Sequence, residues 1–332
     1  LSNMKKKTDY FELTFPDISA ELYQFALRDG EVKLGERVVF RSDADDWKQC
    51  RYHVLGVQED VGPQLNGGLS GAKNGFRAFI NRFLGLQANR FIRGEEIAIH
   101  GTISLINEQQ AVVGMIEDLD ELIARWSTEV IENGGIPIVI GGGHNNAFGL
   151  IKSIATVAEQ AVSVVNLDPH ADTRAVTFRH SGNPFSAAFS AGYIKKYTVL
   201  GLHESYNNEA ILDYLTEMQA AVFYFESWLD SLSQFEIDVN QVASDSMGTL
   251  TGVELDLDAI AFMPASAFTP SGVTVDQARM YIRKLARNKK VGYLHLPEAA
   301  PKNEQDDKVV GKTLAYLVSD FIKVHQSINL HV

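Results

Sequence analysis

Six residues whose side chains could bind metal ions fall in three short segments of the sequence. They are His144 in GGGHNN, Asp168, His170 and Asp172 in NLDPHAD, and Asp256 and Asp258 in ELDLD. Four carboxylates and two imidazoles can hold two divalent cations about 3.5 to 4 Å apart, an arrangement that turns water into a nucleophile. A carboxylate-rich set of this kind suits Mn²⁺ better than the thiolate-rich sites of structural zinc.

These segments follow predicted strands of a parallel sheet. From about residue 51, short apolar runs alternate with longer amphipathic segments, which is typical of strand–helix–strand units in an α/β fold. The predicted strands are 52–57, 136–141, 162–168, 197–202, 252–258 and 291–296, and the predicted helices are 116–133, 146–160, 205–220, 274–288 and 309–325. His144, Asp168 and Asp256 come at or after the carboxyl ends of three strands, where open parallel sheets bind ligands. We therefore expect one site at one edge of the sheet.

The spacing within the acidic segments supports this interpretation. In a strand, Asp256 and Asp258 would point to the same side with Cα atoms roughly 6 to 7 Å apart, so each could reach a metal ion. Alternatively, an aspartate at a strand end caps the following helix, and His144 after three glycines belongs to a turn. Four acidic side chains at one edge would repel each other strongly without cations. Together, the segments favour a dinuclear metal site.

Composition limits the class of protein. The chain has 332 residues, 45% hydrophobic, with a formal net charge of −12, which argues against nucleic acid as a partner and favours a small polar molecule. A single cysteine, Cys50, excludes an intramolecular disulfide and is typical of a cytoplasmic protein. Residues 1–7 contain no apolar core, and no stretch approaches the roughly 18 apolar residues of a membrane span. Without a linker or repeat, we expect residues 1–332 to form a single domain with a poorly defined N-terminal extension over 1–50.

With these motifs, the sequence resembles the ureohydrolase family of arginases, agmatinases and formimidoylglutamases. The family pattern is GGxH, DAHxD and DxD in that order, which GGGHNNAFG, DPHADTR and ELDLDA match, and residues 56–79 look like its early glycine-rich segment. The resemblance covers about residues 51–325. It implies a three-layer α/β/α arginase-like fold with a mostly parallel, about eight-stranded sheet, in a homo-oligomer.

The same resemblance implies a ligand set for each of two Mn²⁺ ions. The first ion would be held by His144, Asp168, Asp172 and Asp256. The second would be held by Asp168, His170, Asp256 and Asp258.

The loop after the second metal segment distinguishes substrates within that family. Arginases carry a proton-transferring histidine near the SGN segment, but Phe185 stands at that position here. Formimidoylglutamases instead carry an arginine two residues after the last metal aspartate and an SGTPF-like segment. Arg174 and the SGNPF segment look similar, although Asn183 stands where threonine is expected. The loop therefore resembles a formimidoylglutamase more than an arginase.

The charges in this loop point the same way. A planar guanidinium pairs bidentately with a carboxylate, and Arg174, Arg179 and His180 put up to three cations beside the metals. A dicarboxylate substrate would be well bound there, whereas cationic agmatine would not. Alternatively, Arg174 neutralises the metal-site aspartates or caps a loop carbonyl, and Arg179 and His180 are ordinary loop residues.

Two further segments resemble substrate contacts of the family. Glu298 in HLPEAAP matches a glutamate that binds amidine or guanidine nitrogens, although an acid at a helix start would look the same. Ser205 and Asn207 in ESYNNEA follow the strand at 197–202, where the family places substrate-contacting residues. Either could equally be a helix N-cap.

Together, the motifs predict a hydrolase that cleaves a linear amidine C–N bond, with N-formimidoyl-L-glutamate giving L-glutamate and formamide. By family analogy, a metal-bridging hydroxide attacks the amidine carbon, and Asp172 passes its proton to the departing amine. Glu298 would hold the amidinium, while Arg174 would bind a substrate carboxylate.

Other classes fit the sequence less well. A phosphate loop at Gly311, Lys312 and Thr313 would need glycine where Asp306 stands, and GGGHNNAFG lacks the GxGxxG spacing of a dinucleotide site. A single-metal zinc deacetylase would not need both His144 and the paired aspartates. The alternatives that stay open are a ureohydrolase acting on another guanidino or amidino acid and a non-catalytic metal-binding relative.

Overall fold

The computed structural model describes residues 6–42, 44–231 and 233–329, and a ten-stranded sheet runs through this part of the chain. The strands are β1 (Phe11–Thr14), β2 (Val39–Phe40), β3 (Tyr52–Gln58), β4 (Ile97–Leu105), β5 (Ile136–Ile140), β6 (Val162–Leu167), β7 (Ile194–Leu202), β8 (Ala221–Tyr224), β9 (Thr251–Leu255) and β10 (Val291–Leu296). Their order is β1-β4-β3-β5-β10-β9-β6-β7-β8, with β2 also beside β4. Only β1 runs antiparallel to its neighbour among these described strands.

Helices cover both faces of the sheet. They are α1 (Val61–Leu65), α2 (Gly75–Leu84), α3 (Met115–Glu132), α4 (Ala147–Val157), α5 (Pro184–Ser190), α6 (Glu209–Glu217), α7 (Glu226–Asp230), α8 (Gln234–Ser246), α9 (Val275–Leu285) and α10 (Glu304–Asn329). Apolar residues of α2, α8, α9 and α10 share one core, and those of α3 to α6 share another. The three-layer α/β/α prediction is confirmed, with ten strands rather than about eight.

The central strands are buried on both faces, which explains their continuous apolar sequences. Along β5, Ile136, Ile138 and Ile140 enter one core while Val139 enters the other. Because side chains alternate across a strand, a strand between two helix layers has no polar side.

All six predicted strands are present, but the strand predicted over 252–258 ends earlier. β9 stops at Leu255 because the Asp256 carboxylate accepts a hydrogen bond from the backbone N–H of Asp258 at 2.9 Å, and a 3₁₀ turn follows over Leu257–Ala259. The expectation that both aspartates lie in a strand was therefore wrong. Asp256 acts as a cap while it also faces the site.

The first fifty residues contribute strands to the sheet edge. β1 pairs with the end of β4 through Phe11 and Leu105, and β2 pairs with its beginning through Val39 and Ala98. That residues 1–332 form one domain stays a prediction. Among the described residues, no helix combines the length and apolarity needed to cross a bilayer.

Candidate metal centre and active site

Four neighbouring strands at the centre of the sheet bring the predicted site residues together. In the order β5, β10, β9 and β6, the segments beyond their carboxyl ends carry His144, Glu298, the Asp256 pair and the segment that begins at Asp168. The sequence-based placement at one sheet edge therefore agrees with the observed topology.

The turn that delivers His144 depends on glycine. Gly141 and Gly142 have φ values of 84° and 71°, and a Cβ on Gly142 would lie 2.5 Å from Nδ2 of Asn146. The buried Glu59 carboxylate stabilises the turn by accepting a hydrogen bond from the Gly143 N–H at 2.7 Å. Left-handed backbone and close contact both exclude a side chain at Gly142.

A first group of possible ligands surrounds His144. Its Nδ1 lies 3.1 Å from an oxygen of Asp168 and 3.0 Å from oxygens of Asp172 and Asp256. One ligand atom from each of the four residues lies within 4.8 Å of all the others. These are the four residues expected around the first cation.

A second group lies beside the first and shares Asp168. Nδ1 of His170 is 3.4 Å from oxygens of both Asp168 and Asp258. Asp256 does not join this group within 4.8 Å, so its bridging between two cations stays a prediction.

The electrostatics of the cluster favour added positive charge. Burial raises the pKa of Asp256, and the nearby charges of Asp258 and Asp168 raise it further. Burial likewise raises the pKa of Asp258 to about 6. Burial alone would lower the pKa of His144, but the adjoining carboxylates hold it well above its usual value. Crowded acidic groups of this kind are stabilised by cations.

The donor atoms fit a pair of divalent cations. Nδ1 of His144 and Oδ1 of Asp258 are buried without a hydrogen-bond partner in the described part of the chain. Buried polar atoms of this kind normally have a partner. Together with the carboxylate-rich set, they leave bonding capacity that two divalent ions could use.

The two groups open into a cavity of about 130 Å³. Residues that line it include Arg174, Tyr206, Asn207, Ser266 and Glu298, alongside His170, Asp172, Asp256 and Asp258. A volume of this size suits a small molecule, and most of the lining is polar or charged.

Glu298 is held rigidly at the cavity wall. Its carboxylate accepts a hydrogen bond from the backbone N–H of His144 at 2.8 Å and another from the Ser266 hydroxyl. Burial raises its pKa to about 8. Glu298 and Asp172 both have positive φ values, 66° and 49°, and strained backbone of this kind is concentrated at functional sites.

The three basic residues in the loop after Asp172 lie in different surroundings. Arg174 is exposed and lines the cavity, and its guanidinium has no ion-pair or hydrogen-bond partner among the described residues. Arg179 is buried against Asp120, with 3.1 Å between Nε and Oδ2, and also bonds to Asn183. Burial lowers the pKa of His180 to about 4, and its Nδ1 accepts a hydrogen bond from the loop backbone. Only Arg174 of these three lines the cavity.

Two of the other predicted substrate residues, Asn183 and Ser205, lie outside the cavity lining. Asn183 lies outside the cavity lining, where its side chain bonds to Arg179, the His180 N–H and the Phe178 carbonyl. Ser205 is exposed and also outside the lining. Substrate binding by Asn183 and Ser205 stays a prediction that this geometry does not favour.

Asn207 does line the cavity, but its side chain is hydrogen-bonded to the segment 168–172. It accepts from the Ala171 N–H and donates to the Pro169 carbonyl. The N-cap of α6 is Asn208, which accepts from the N–H of Ile211. Neither Ser205 nor Asn207 is therefore that cap.

Phe185 lies behind the cluster and is fully buried. Its ring packs edge-on against His144 at 5.1 Å between centroids and stacks on Tyr197 at 4.7 Å. Phe185 therefore supports the orientation of the His144 ring by packing.

Several residues near the site were not singled out from the sequence. Glu254 lies next to His144, Tyr206 stacks on His170 with centroids 5.5 Å apart, and Ser266 bonds to Glu298. Only Glu254 had a visible signal, because it precedes Asp256 by two positions in ELDLD. Tyr206 and Ser266 lie in loops, and the sequence around them does not indicate where their side chains point.

A carboxylate-rich cluster beyond parallel strand ends, next to a small cavity, is an arrangement that metal-dependent hydrolases with an α/β/α fold use. The model of the arginase family matches residues 51–322, so the chain belongs to the arginase family. It is accordingly a hydrolase of carbon–nitrogen bonds in linear amidines. Membership of the ureohydrolase group, predicted from the motifs, is confirmed.

Known relatives resemble the chain over most of its length. Formimidoylglutamase of Staphylococcus aureus is 25% identical over 273 residues, which cover 81% of this chain and 85% of the relative. A Trypanosoma cruzi formiminoglutamase structure with Mn²⁺ superposes with a TM-score of 0.72 at 19% identity, covering 88% of this chain and 98% of that one. The formimidoylglutamase structure from Bacillus subtilis gives 0.76 at 16% identity, covering 93% and 96%. At such identities, the two structures establish the shared fold.

Proposed function

We propose that this hydrolase converts N-formimidoyl-L-glutamate and water into L-glutamate and formamide, with two Mn²⁺ ions in the metal centre. The observation that carries the substrate assignment is Arg174, a cation at the wall of the cavity beside the aspartate cluster that has no side-chain partner among the described residues. The Staphylococcus aureus relative, named a formimidoylglutamase, supports the same substrate. The Trypanosoma cruzi structure with Mn²⁺ supports the choice of metal.

The charge at the cavity wall favours a substrate that carries carboxylates. An arginine without an internal partner can form two parallel hydrogen bonds to one carboxylate. The cavity also holds Glu298, a carboxylate with which an amidinium can pair. A molecule that carries both an amidinium and carboxylates would pair with both groups, whereas agmatine has no carboxylate for Arg174 to bind.

Glu298 would bind and orient the amidinium. Burial raises its pKa to about 8, so near neutral pH a proton competes with the substrate for this carboxylate. A bound amidinium favours the ionised form, because opposite charges at close range lower the pKa of a carboxyl. The hydrogen bonds from Ser266 and the His144 backbone keep the carboxylate in position.

Asp172 would move the proton during the reaction. It lines the cavity beside His144. A carboxylate positioned in this way can accept a proton and later return it. It would take a proton from the attacking water and give it to the glutamate nitrogen as the C–N bond breaks. When bound, two divalent cations would lower the pKa of water and stabilise negative charge.

Hydrolysis of a substrate panel tests the proposal. Protein supplied with Mn²⁺ is incubated with formimidoylglutamate, arginine, agmatine and guanidino acids, and the products are quantified. We expect turnover of formimidoylglutamate far above the others. Preferential hydrolysis of another compound would replace the substrate, and two bound metals without any turnover would favour the non-catalytic alternative.

Arg174→Ala tests the substrate contact itself. Loss of a charge-assisted pair worth about 1.5 to 3 kcal/mol should raise KM for formimidoylglutamate about 10- to 100-fold. Arg90→Ala is the matched control, because Arg90 is an exposed arginine outside the cavity lining. An unchanged KM in Arg174→Ala would contradict the assigned carboxylate contact.

Homo-oligomeric assembly, cytoplasmic location and the absence of nucleic-acid binding stay predictions from the sequence. The single-domain organisation of residues 1–332 is likewise part of this proposal.

A further inference from the structure

A buried polar group lies behind His144, on the side opposite the aspartates. Glu254 on β9 and Tyr293 and His295 on β10 form this group, and all three side chains are fully buried. Oε1 of Glu254 accepts a hydrogen bond from the Tyr293 hydroxyl at 2.6 Å, and its Oε2 lies 2.6 Å from Nδ1 of His295. The same Oε2 lies 3.3 Å from Nε2 of His144.

His144 therefore stands between two sets of carboxylates. Nδ1 faces Asp168, Asp172 and Asp256, while Nε2 faces Glu254. A neutral imidazole carries its proton on one nitrogen and a lone pair on the other. Only the tautomer with the proton on Nε2 presents the Nδ1 lone pair to a cation among the aspartates.

Glu254 is placed to select that tautomer. A carboxylate beside the second nitrogen of a ligating histidine accepts its N–H, fixes the ring orientation and makes the ligand more basic. Tyr293 and His295 occupy both oxygens of Glu254, so the carboxylate cannot rotate away from His144. The neighbouring Gly252 makes this possible, because a Cβ there would lie 2.4 Å from the Tyr293 ring.

We propose that Glu254, locked by Tyr293 and His295, is a positioning residue that holds His144 with Nδ1 directed at the metal centre. This inference rests on the metal centre of the proposed function and adds a group that acts through His144 without touching the substrate. The competing interpretation is a separate metal site, since ligand atoms of His144, Glu254 and His295 also lie within 4.8 Å of one another.

Glu254→Gln tests the proposal through metal affinity. Glutamine keeps the size of the side chain but removes the charge that accepts the Nε2 proton. We expect the Kd for Mn²⁺, measured by calorimetric titration of the metal-free protein, to rise about 10- to 100-fold, as is typical when an outer partner of a metal ligand is lost. Tyr293→Phe removes one bond to Glu254 and should raise the Kd by a smaller factor in the same direction.

Glu129→Gln provides the matched control. Glu129 is another largely buried glutamate, and it pairs with Arg41 at 2.8 Å without belonging to the metal cluster. A purely structural role of Glu254 would lower the Tm of the metal-free protein and leave metal affinity unchanged, as expected for Glu129→Gln. The positioning role changes affinity at nearly constant metal-free Tm.

The outcomes separate this inference from the proposed function. If wild-type protein hydrolyses formimidoylglutamate while Glu254→Gln and Tyr293→Phe bind Mn²⁺ within twofold of the wild type, the positioning role is wrong and the function stands. A third equivalent of Mn²⁺ that disappears in His295→Ala would also overturn it in favour of a separate metal site. If Glu254→Gln does not fold, the Kd of Tyr293→Phe decides.

Discussion

One sheet carries two buried histidine clusters with opposite surroundings. His144 and His170 lie beyond the ends of β5 and β6 among aspartates and next to a cavity. His53 on β3 and His100 on β4 lie within the strands, with Arg41 beside them. His144 is as fully buried as His53 and His100, so burial alone does not distinguish a site from a core.

In the second cluster, every ring nitrogen of the two histidines has a hydrogen-bond partner. Nδ1 of His100 faces Arg41 and the Trp126 indole N–H, each at 3.0 Å, so this nitrogen is the acceptor. Its Nε2–H then donates to Nδ1 of His53 at 2.9 Å, and the Nε2–H of His53 donates to the Cys50 carbonyl at 2.9 Å. Both rings are neutral in this arrangement, and no ring nitrogen is left for a ligand.

The partners therefore set the direction of each pKa shift. Burial lowers the pKa of His100 well below its usual value and that of His53 to about 4, and the Arg41 charge adds to both shifts. Around His144 and His170, the carboxylates overcome burial and raise the pKa. Histidine among carboxylates favours positive charge, whereas histidine beside arginine stays neutral and structural.

The largest expected effect comes from Asp256→Asn. This change removes one carboxylate from the His144 group, and activity should fall at least about 100-fold, because loss of an outer partner alone can cost that much. Bound Mn²⁺, measured by elemental analysis, should fall below two equivalents. The Tm of the metal-free protein should not decrease, since one of several mutually repelling charges is gone.

Asp238→Asn is the control for that variant. Asp238 is also buried, but it bonds to Trp228 and Gln234 away from the cavity. We expect full metal content and activity with reduced stability. Full metal content and activity in Asp256→Asn would contradict the contrast between the clusters.

His100→Leu should have the reverse effect of Asp256→Asn, because it should lower stability and leave metal binding unchanged. It leaves the Trp126 N–H and Nδ1 of His53 without their partner, and buried polar groups left unsatisfied cost about 1 to 3 kcal/mol each. We expect the free energy of unfolding in urea to decrease by about 3 kcal/mol in total. Mn²⁺ affinity should equal that of the wild type, and a changed affinity would mean that the two clusters are coupled.

The smallest expected effect is a loss of stability at acidic pH that depends on His53. Burial lowers the pKa of His53 in the folded state to about 4, below the value of 6.5 for an exposed histidine. Above pH 6.5, His53 is therefore neutral in both the folded and the unfolded state, and its contribution to stability is complete. As the pH falls from 6.5 towards 4, the unfolded chain takes up the proton first, and the free energy of unfolding decreases by about 1.4 kcal/mol per pH unit. In urea titrations at pH 7, 6 and 5, the stability difference between wild type and His53→Asn should therefore shrink. A constant difference would mean that His53 is not held neutral.

The convergence of the predicted metal ligands could be foreseen from the sequence, because their positions follow from a general property of parallel sheets. Once IPIVI, VSVVNL and GVEL were identified as buried strands, the residues after them had to meet at one edge. The neighbouring order β5, β10, β9 and β6 then brought Glu298 to the same place.

Other features depend on distant contacts that no local pattern encodes. β4 was missed because His100 and Gly101 interrupt its apolar run, and β8 because it is short and only half-buried. Arg179 turns away from the cavity because Asp120, on α3, holds it. Glu254 was overlooked because its role depends on Tyr293 and His295 of the adjacent strand.

The central claim is that the cluster around His144 binds two cations while the cluster around His100 binds none. Titration of metal-free protein with Mn²⁺, followed by elemental analysis after gel filtration, tests it most directly. We expect two equivalents per chain in the wild type and in His100→Leu, and fewer than two in Asp256→Asn. Zero or one equivalent in the wild type, or a loss of metal in His100→Leu, would contradict it.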